Sequence, residues 1–461
     1  MVYQKINKTL IHSLLLGFVC AFFLLKFIPL ASTNPLFVLG LFLFFTFVFI
    51  MILWPKFILF MILFSRGFLD PLFSVTKIDI FGQEIGVGGV LNFLIIMLAL
   101  FLLVTKYKTV FRHKFVRYWV LFLALCFAAI FYSPVKVMGV RFFLNLLTYL
   151  SIFVIPFIIV DKEADYKYWF GVLFFSSFIP VTIGIIDVLH GGTVSLTGGM
   201  RIRGSFSHPN ILAFYIVLMI AVVFCLLKDK KFKHSFLRSN LLRFYGLILF
   251  VLLIYTKTRS AWISCWVLFF LYGVFKERRY ILYALIVPPF LLLNQSVYER
   301  VSDLFMGRGY IETGVDSLRW RLELWKSTLL WIRRRFLFGY GLSSFEELSN
   351  QFFFTGSGSG AFAHNAYLKL LFETGVFGLF SFVMVYLSIL HNIFLKIKNS
   401  IPENTLVYAA AISYLFSYLV ASGADNMLYY LAFNWYFWFF IGLILKGGEL
   451  PDEGFSNNTI I

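Results

Sequence analysis

The chain has 461 residues, of which 61% are hydrophobic, 21% aromatic and only 13% charged, with a mean hydropathy of +0.87. No water-soluble core could bury that much apolar surface, which excludes a soluble enzyme or binding module. The formal net charge of +18 does not point to nucleic acid. Its cations lie in short segments between apolar runs, where anionic lipid is the natural counterpart, and no basic domain exists to grip a duplex.

Apolar runs recur from end to end, and residues 1–461 read as a single all-α polytopic integral membrane domain with about 14 transmembrane helices, or about 12–14. The first run (about 10–31) follows Lys5 and Lys8. It lacks a small-residue cleavage site and a second span follows at once, so it reads as a retained helix rather than a signal peptide. Further spans are predicted at 35–53, 57–73, 87–104, 118–133, 142–160, 169–188, 208–227, 244–257, 261–275, 280–296, 364–390, 405–422 and 428–445. Arg66 and Asp70 interrupt the span at 57–73, and only KTRS separates the two short spans at 244–257 and 261–275. Cys20, Cys126, Cys225 and Cys265 each lie inside an apolar run. They read as buried thiols, and no Cys/His spacing suggests a metal.

With a cytoplasmic N-terminus, KYKTVFRHKFVR, KDKKFKHSFLRSNLLR and KERR fall inside. Both termini are then cytoplasmic and the long polar insertion 297–363 is extracytoplasmic. The inner cations are mostly lysine, the outer ones mostly arginine. Retention of inner loops needs only charge, whereas the guanidinium fork binds phosphate or carboxylate in bidentate fashion. The arginine bias therefore points to an anionic, phosphate-bearing substrate at the outer face.

Four outer segments carry the candidate chemistry. RIRGSFSHPN (201–210) alternates Arg201 and Arg203, so one of them faces any given ligand. Gly204 permits a tight turn, and Ser207 or His208 caps the helix that Pro209 opens. Arg259 lies in TKTRS, a polar break that is expensive at membrane depth unless it lines a cavity. The insertion carries Arg300, Arg308, Arg319, Arg321, Lys326, Arg333, Arg334 and Arg335. Its SLRWRLELW stretch is predicted as an amphipathic helix on the membrane face. Trp320, Trp325 and Trp331 act as interfacial anchors there, and Arg321 and Trp325 share one face. Gly339 and Gly341 stop that helix, and TGSGSG (355–360) is a flexible approach to His364. His364 can take a proton near neutral pH. Glu373, nine residues on, falls on the opposite helix face about 13 Å deeper and is read as a packing acceptor rather than a partner of His364. Asp425, in SGADN between the last two spans, could orient a base or an arginine, or cap the last helix.

RGSFSHPN, TRSAW, RLELW followed by FGYG, and HNAYLKLLFETGVFGLF occur in this order. Together they resemble the superfamily of O-antigen ligases and O-antigen polymerases, bacterial membrane glycosyltransferases. The motifs span 203–380; the first 200 residues match in hydropathy alone. The resemblance implies a GT-C-type enzyme of the bacterial inner membrane that needs neither metal, nucleotide sugar nor other cofactor. Its site faces the periplasm, and its donor is a glycan on undecaprenyl diphosphate. By the same resemblance Arg259 and Arg321 hold the diphosphate, Arg203 is the arginine of the family's earlier outer loop and a further substrate-binding candidate, and His364 is the essential loop histidine. Apart from the resemblance, Arg319 and Asp425 are candidates for a supporting role. The acceptor is another lipid-linked repeat for a polymerase, or lipid A-core or another final acceptor for a ligase. A chain-length regulator and a flippase are the further partners implied, alongside membrane lipid. Fourteen rather than twelve spans favours the polymerase.

Inverting displacement fits these residues. Arginines hold the diphosphate and stabilise charge as the C1–O bond breaks, while His364 serves as base or orients the acceptor hydroxyl. Two rivals stand beside this reading. A transporter would show related halves with broken helices at mid-membrane. A peptidoglycan-polymerising enzyme would rely on a loop carboxylate such as Asp303, Asp316 or Glu323.

Overall fold

A computed structural model describes residues 45–75, 77–80, 83–194, 200–232, 239–302, 317–353, 360–400 and 405–450. The span at 10–31, the start of 35–53, Cys20, Asp303, Arg308, Asp316 and most of TGSGSG lie outside the described residues. The chain is membrane-integral and all-α, apart from two short hairpins. One pairs Lys77–Ile80 with Gln83–Gly86 and the other pairs Thr193–Val194 with Met200–Arg201.

The first described helices are α1 (Phe45–Leu53) and α2 (Pro55–Arg66), bent by 119°. Proline disfavours helix at the residue before it, and Trp54 duly leaves helical geometry (φ −134°) while Pro55 opens α2. The expected span 57–73 is thus corrected. Its helix begins earlier, ends at Arg66, and a new short helix, α3 (Asp70–Val75), follows. A buried ion pair between Arg66 and Asp70 at 3.2 Å ties the end of α2 to the start of α3 across this break.

The chain continues through α4 (Val87–Phe111), α5 (Lys114–Phe131), α6 (Lys136–Ile159), α7 (Glu163–Phe175), α8 (Phe178–Leu189) and α9 (Pro209–Lys228). Then come α10 (Ser239–Tyr255), α11 (Arg259–Phe275), α12 (Arg279–Leu291), α13 (Gln295–Ser302), α14 (Ser317–Ile332) and α15 (Phe345–Ser349). The last three are α16 (Ala366–Asn399), α17 (Thr405–Ser422) and α18 (Leu431–Gly447). Among the described residues, 6 helices, taking α7 with α8 as one, are long and apolar enough to cross a membrane, or up to 7 if the bent pair is one span. Shorter apolar helices stand between them.

α9 and α18 are apolar all round and nearly wholly buried, as expected of helices at the centre of a bundle. α6 packs on α18, α5 on α16, and α11 on α17. Trp119, Trp435 and Trp438 are fully buried in this core. Cys126, Cys225 and Cys265 are buried free thiols.

α16 is interrupted at Gly375, whose φ of +66° favours glycine. The opened backbone is not left unpaired, because the segment after α14 threads the gap. Val376 N donates to Phe336 O at 2.9 Å, Tyr340 N to Phe372 O at 2.9 Å and Gly341 N to Glu373 O at 2.9 Å. A Cβ at Gly375 would stand 2.1 Å from Leu337 O. Leu342 N bonds Ala129 O at 3.1 Å, and Ser133 Oγ bonds Leu342 O at 2.8 Å, so the insertion is stitched to α5 as well. The insertion also has a small core of its own, built from Leu324, Ile332, Phe345, Ala361, Ala363 and Phe372.

Candidate functional site

Asp425 is the hub around which the motif-bearing segments meet. It lies in the turn between α17 and α18 and is 2% exposed. Its Oδ1 accepts from Tyr430 OH at 2.6 Å and from Asn426 N at 2.9 Å. Its Oδ2 accepts from Asn210 Nδ2 at 3.1 Å and Ser260 Oγ at 3.3 Å. Burial pushes this carboxyl up, but His364, Tyr430 and the Asn426 amide outweigh it and hold the group below the usual carboxylate range. Burial, then the charge of Asp425, pushes the Tyr430 phenol well above its ordinary value, so it remains a donor. Asp425 does not cap the last helix, whose N-cap is Tyr430.

His364 Nδ1 stands 4.0 Å from Asp425 Oδ1. That is too long for a hydrogen bond and right for an ion pair once the ring is protonated. His364 has φ +47°, in the left-handed region that non-glycine residues avoid at a cost of about 1 kcal/mol or more. Asn365 follows as N-cap of α16, its Oδ1 accepting from Tyr367 N and Leu368 N at 3.1 and 3.0 Å. A strained residue ahead of a well-formed cap is how this chain turns the imidazole, with 30% of its side chain exposed, toward Asp425.

α14 holds both neighbours of this pair. Arg321 Nη1 donates to Ala424 O at 3.0 Å and Trp325 Nε1 to Ala363 O at 2.7 Å. These are the residues just before Asp425 and His364, so the shared face of Arg321 and Trp325 clamps the site. The three tryptophans need correction as lipid anchors. Trp320 packs on Phe353 and near His364, and Trp331 on Tyr340 and Phe352. Their rings pack against the small core that includes Leu324, Ile332, Phe345 and Phe372. Arg319 points away from the site and pairs with Glu323 at 3.1 Å on the exposed face. Arg334 and Arg335 lie over Trp331 and Tyr340.

The TKTRS break is satisfied by arginines. α10 ends at Tyr255, and the carbonyls beyond it have no helical partner. Arg201 Nε donates to Thr256 O at 2.8 Å and Arg300 Nε to Lys257 O at 3.4 Å. Arg259, half-buried as the first residue of α11, donates to Arg300 O at 3.3 Å. Arg201 Nη2 also donates to Asn210 Oδ1 at 2.8 Å and Thr258 Oγ1 at 2.7 Å. Arg201 is therefore the inward member of the alternating pair, one residue removed from Asp425. Arg203 is exposed, and among the described residues no ion pair of its side chain is found. Its backbone is clasped, since Asp187 Oδ2 accepts Arg203 N and Gly204 N at 3.2 and 2.8 Å. Asp70 Oδ2 holds the same turn through Ser207 N at 3.1 Å and Ser207 Oγ at 3.0 Å.

The structure thus gathers His364, Asp425 and Arg321 directly, and Arg259 through the adjoining break. It leaves Arg203 at the rim and Arg319 outside. Glu373 is buried away from His364, accepting from Phe345 N at 3.3 Å and pairing with Lys369 at 3.5 Å. Sequence reasoning missed Asn210, Ser260 and Tyr430, although the first two lie inside motifs it singled out. It also missed Asp187, and it marked Asp70 only as an interruption of a span; that Asp70 meets Ser207 across 137 residues of chain is visible only in the fold.

Residues 244–383 match the family model described as O-antigen ligase. No curated protein matches the chain. The matched segment contains Arg259, Arg321 and His364, and ends before Asp425.

Proposed function

We propose, from the match of residues 244–383 to the family model described as O-antigen ligase, that the chain polymerises lipid-linked oligosaccharide repeats at the outer face of the bacterial inner membrane. The donor is the growing glycan on undecaprenyl diphosphate and the acceptor is a lipid-linked repeat unit. The observation that carries this reading is the convergence of His364 and the saturated carboxylate of Asp425 with arginines from three separate segments.

The chemistry asks for three things. The diphosphate must be held, its developing charge met as the C1–O bond breaks, and an acceptor hydroxyl presented. Arg203, with its side chain exposed, and Arg259 and Arg321, which each donate to a backbone carbonyl, supply fixed cations for the first two. His364 takes the proton from the acceptor hydroxyl, and the resulting imidazolium is stabilised by Asp425 at ion-pair distance. The anomeric carbon is displaced directly, with inversion, and the lipid diphosphate leaves bound to arginine. No metal or cofactor is part of this proposal, and both termini are placed in the cytoplasm. The whole chain acts as one membrane domain, with 297–363 closing over the site from outside.

Replacement of His364 by Ala is expected to stop chain growth while single lipid-linked repeats accumulate. Normal polymer from that variant overturns the proposal. The family description itself favours a second reading, a ligase that moves the glycan to lipid A-core or another final acceptor. Product analysis of a deletion strain separates the two. Loss of the ladder of chain lengths identifies the polymerase, and intact polymer stranded on lipid identifies the ligase.

A further inference from the structure

His208 takes no part in the mechanism above, yet its ring is bound in a way that decides its chemistry. It is the N-cap of α9, with extended backbone (φ −144°, ψ 141°), and its Nδ1 accepts the backbone N–H of Asn210 at 3.1 Å. A ring nitrogen that accepts from a backbone amide cannot carry a proton. In the neutral ring the proton is therefore on Nε2, which is left as a donor. The residue is exposed, and Asn210, which it caps, is the same side chain that joins Arg201 to Asp425. Burial of part of the ring, then the charge of Arg201, holds His208 below the usual imidazole value. His364 adds to this and Asp425 opposes it. The ring is neutral at physiological pH, the state the cap requires.

We propose that His208 is a substrate-binding residue whose Nε2–H donates a hydrogen bond to an oxygen of the lipid diphosphate. This rests on the reading of the site given above. A neutral N–H donor can sit beside Arg201 without the repulsion a further cation would meet. It adds a directed bond to a phosphate oxygen whose charge the arginines neutralise. The cap makes the donor permanent, because protonating Nδ1 would break the bond to Asn210 and unpair the start of α9.

The test is binding of undecaprenyl diphosphate to the purified full-length protein in lipid nanodiscs, which reads His208 independently of turnover. His208→Ser retains an oxygen that caps α9 but is too short to reach the ligand. It is expected to weaken binding about tenfold with an unchanged melting midpoint. His208→Asn keeps both a cap acceptor and an N–H donor and should recover most of the loss. Wild-type affinity in His208→Ser overturns the proposal, and so does equal loss in the Ser and Asn variants. Polymerisation by His364→Ala in the same preparation would sink the wider reading alone, since binding by the His208 variants is scored without catalysis.

Discussion

Two buried carboxylates flank the start of α16, and they are treated in opposite ways. Asp425 has both oxygens filled by side chains or amides from two helices and the turn before α18, and it faces a partly exposed histidine. Glu373 has one oxygen engaged by Lys369 and the Phe345 amide, while its Oε2 meets no hydrogen-bond partner among the described residues. A small cavity of about 10 Å³, room for about one water molecule, is lined by Glu373, Lys369, Asn426 and Tyr429 between the two regions. The difference teaches what each is for. Asp425 is organised to keep one geometry and one charge next to His364. Glu373 joins the threaded segment after α14 to the broken helix, a packing task that tolerates an incomplete set of partners.

The sharpest way to break this comparison is to remove each carboxylate in turn. Asp425→Ala is expected to lower polymerisation by about 100-fold or more, the scale set by losing acid–base function. It also strands three side-chain donors, and should lower stability by about 1–3 kcal/mol for a buried group left unpaired. Polymerisation assays and melting in detergent read both. Asp425→Asn should recover the stability but not the rate, because the charge facing His364 is gone. The deficit should be present at both pH 6 and pH 8. A carboxyl held below its ordinary 3.8 is ionised at both, and its stabilising charge fades only as pH falls through that lowered value. A deficit confined to one of the two pH values would break the assignment.

Glu373→Gln is expected to do the reverse. Lys369 keeps its pair with Glu346, so loss of the Glu373 charge should cost about 1 kcal/mol in melting stability, with kcat within about threefold of wild type. A larger fall in kcat than in stability would make the two carboxylates alike.

Arg201→Lys should cost about tenfold in activity, since an ammonium cannot bridge Thr256 O, Asn210 and Thr258 as the fork does. Arg203→Lys keeps the exposed charge and is expected to change only KM for the donor, by about threefold. The smallest effect is expected from Trp325→Phe. It removes the bond to Ala363 O, worth about 1 kcal/mol, and should slow turnover a few-fold without changing product length.

How much of the site was legible follows from the range of the forces involved. His364, Asp425, Arg259 and Arg321 stood out because charge or a titratable group among apolar residues is costly, and cost leaves a trace in a local window. Arg201 and Arg203 could be recognised as alternating, but which one turns inward depended on the carbonyls of Thr256 and the amide of Asn210, which only folding brings near. The tryptophans of α14 misled for a related reason. Aromatic residues on an amphipathic helix suit a lipid interface and a small core equally, and the choice was made by Phe352, Phe353 and Tyr340 from farther along the insertion.

By itself the sequence determined a membrane protein built of apolar helices, and a run of motifs with the residues that lend it chemistry. Hydropathy and residue type act within one segment and need no partner. What only the tertiary structure decided was the break of α16 at Gly375, the burial of Arg66 with Asp70, the inward turn of Arg201 and the carboxylate beneath His364. Arg66 and Asp70 are near in the chain but are buried only where Arg66 meets Trp435; the others are bonds between groups far apart in the chain, and their energy exists only once the helices have packed.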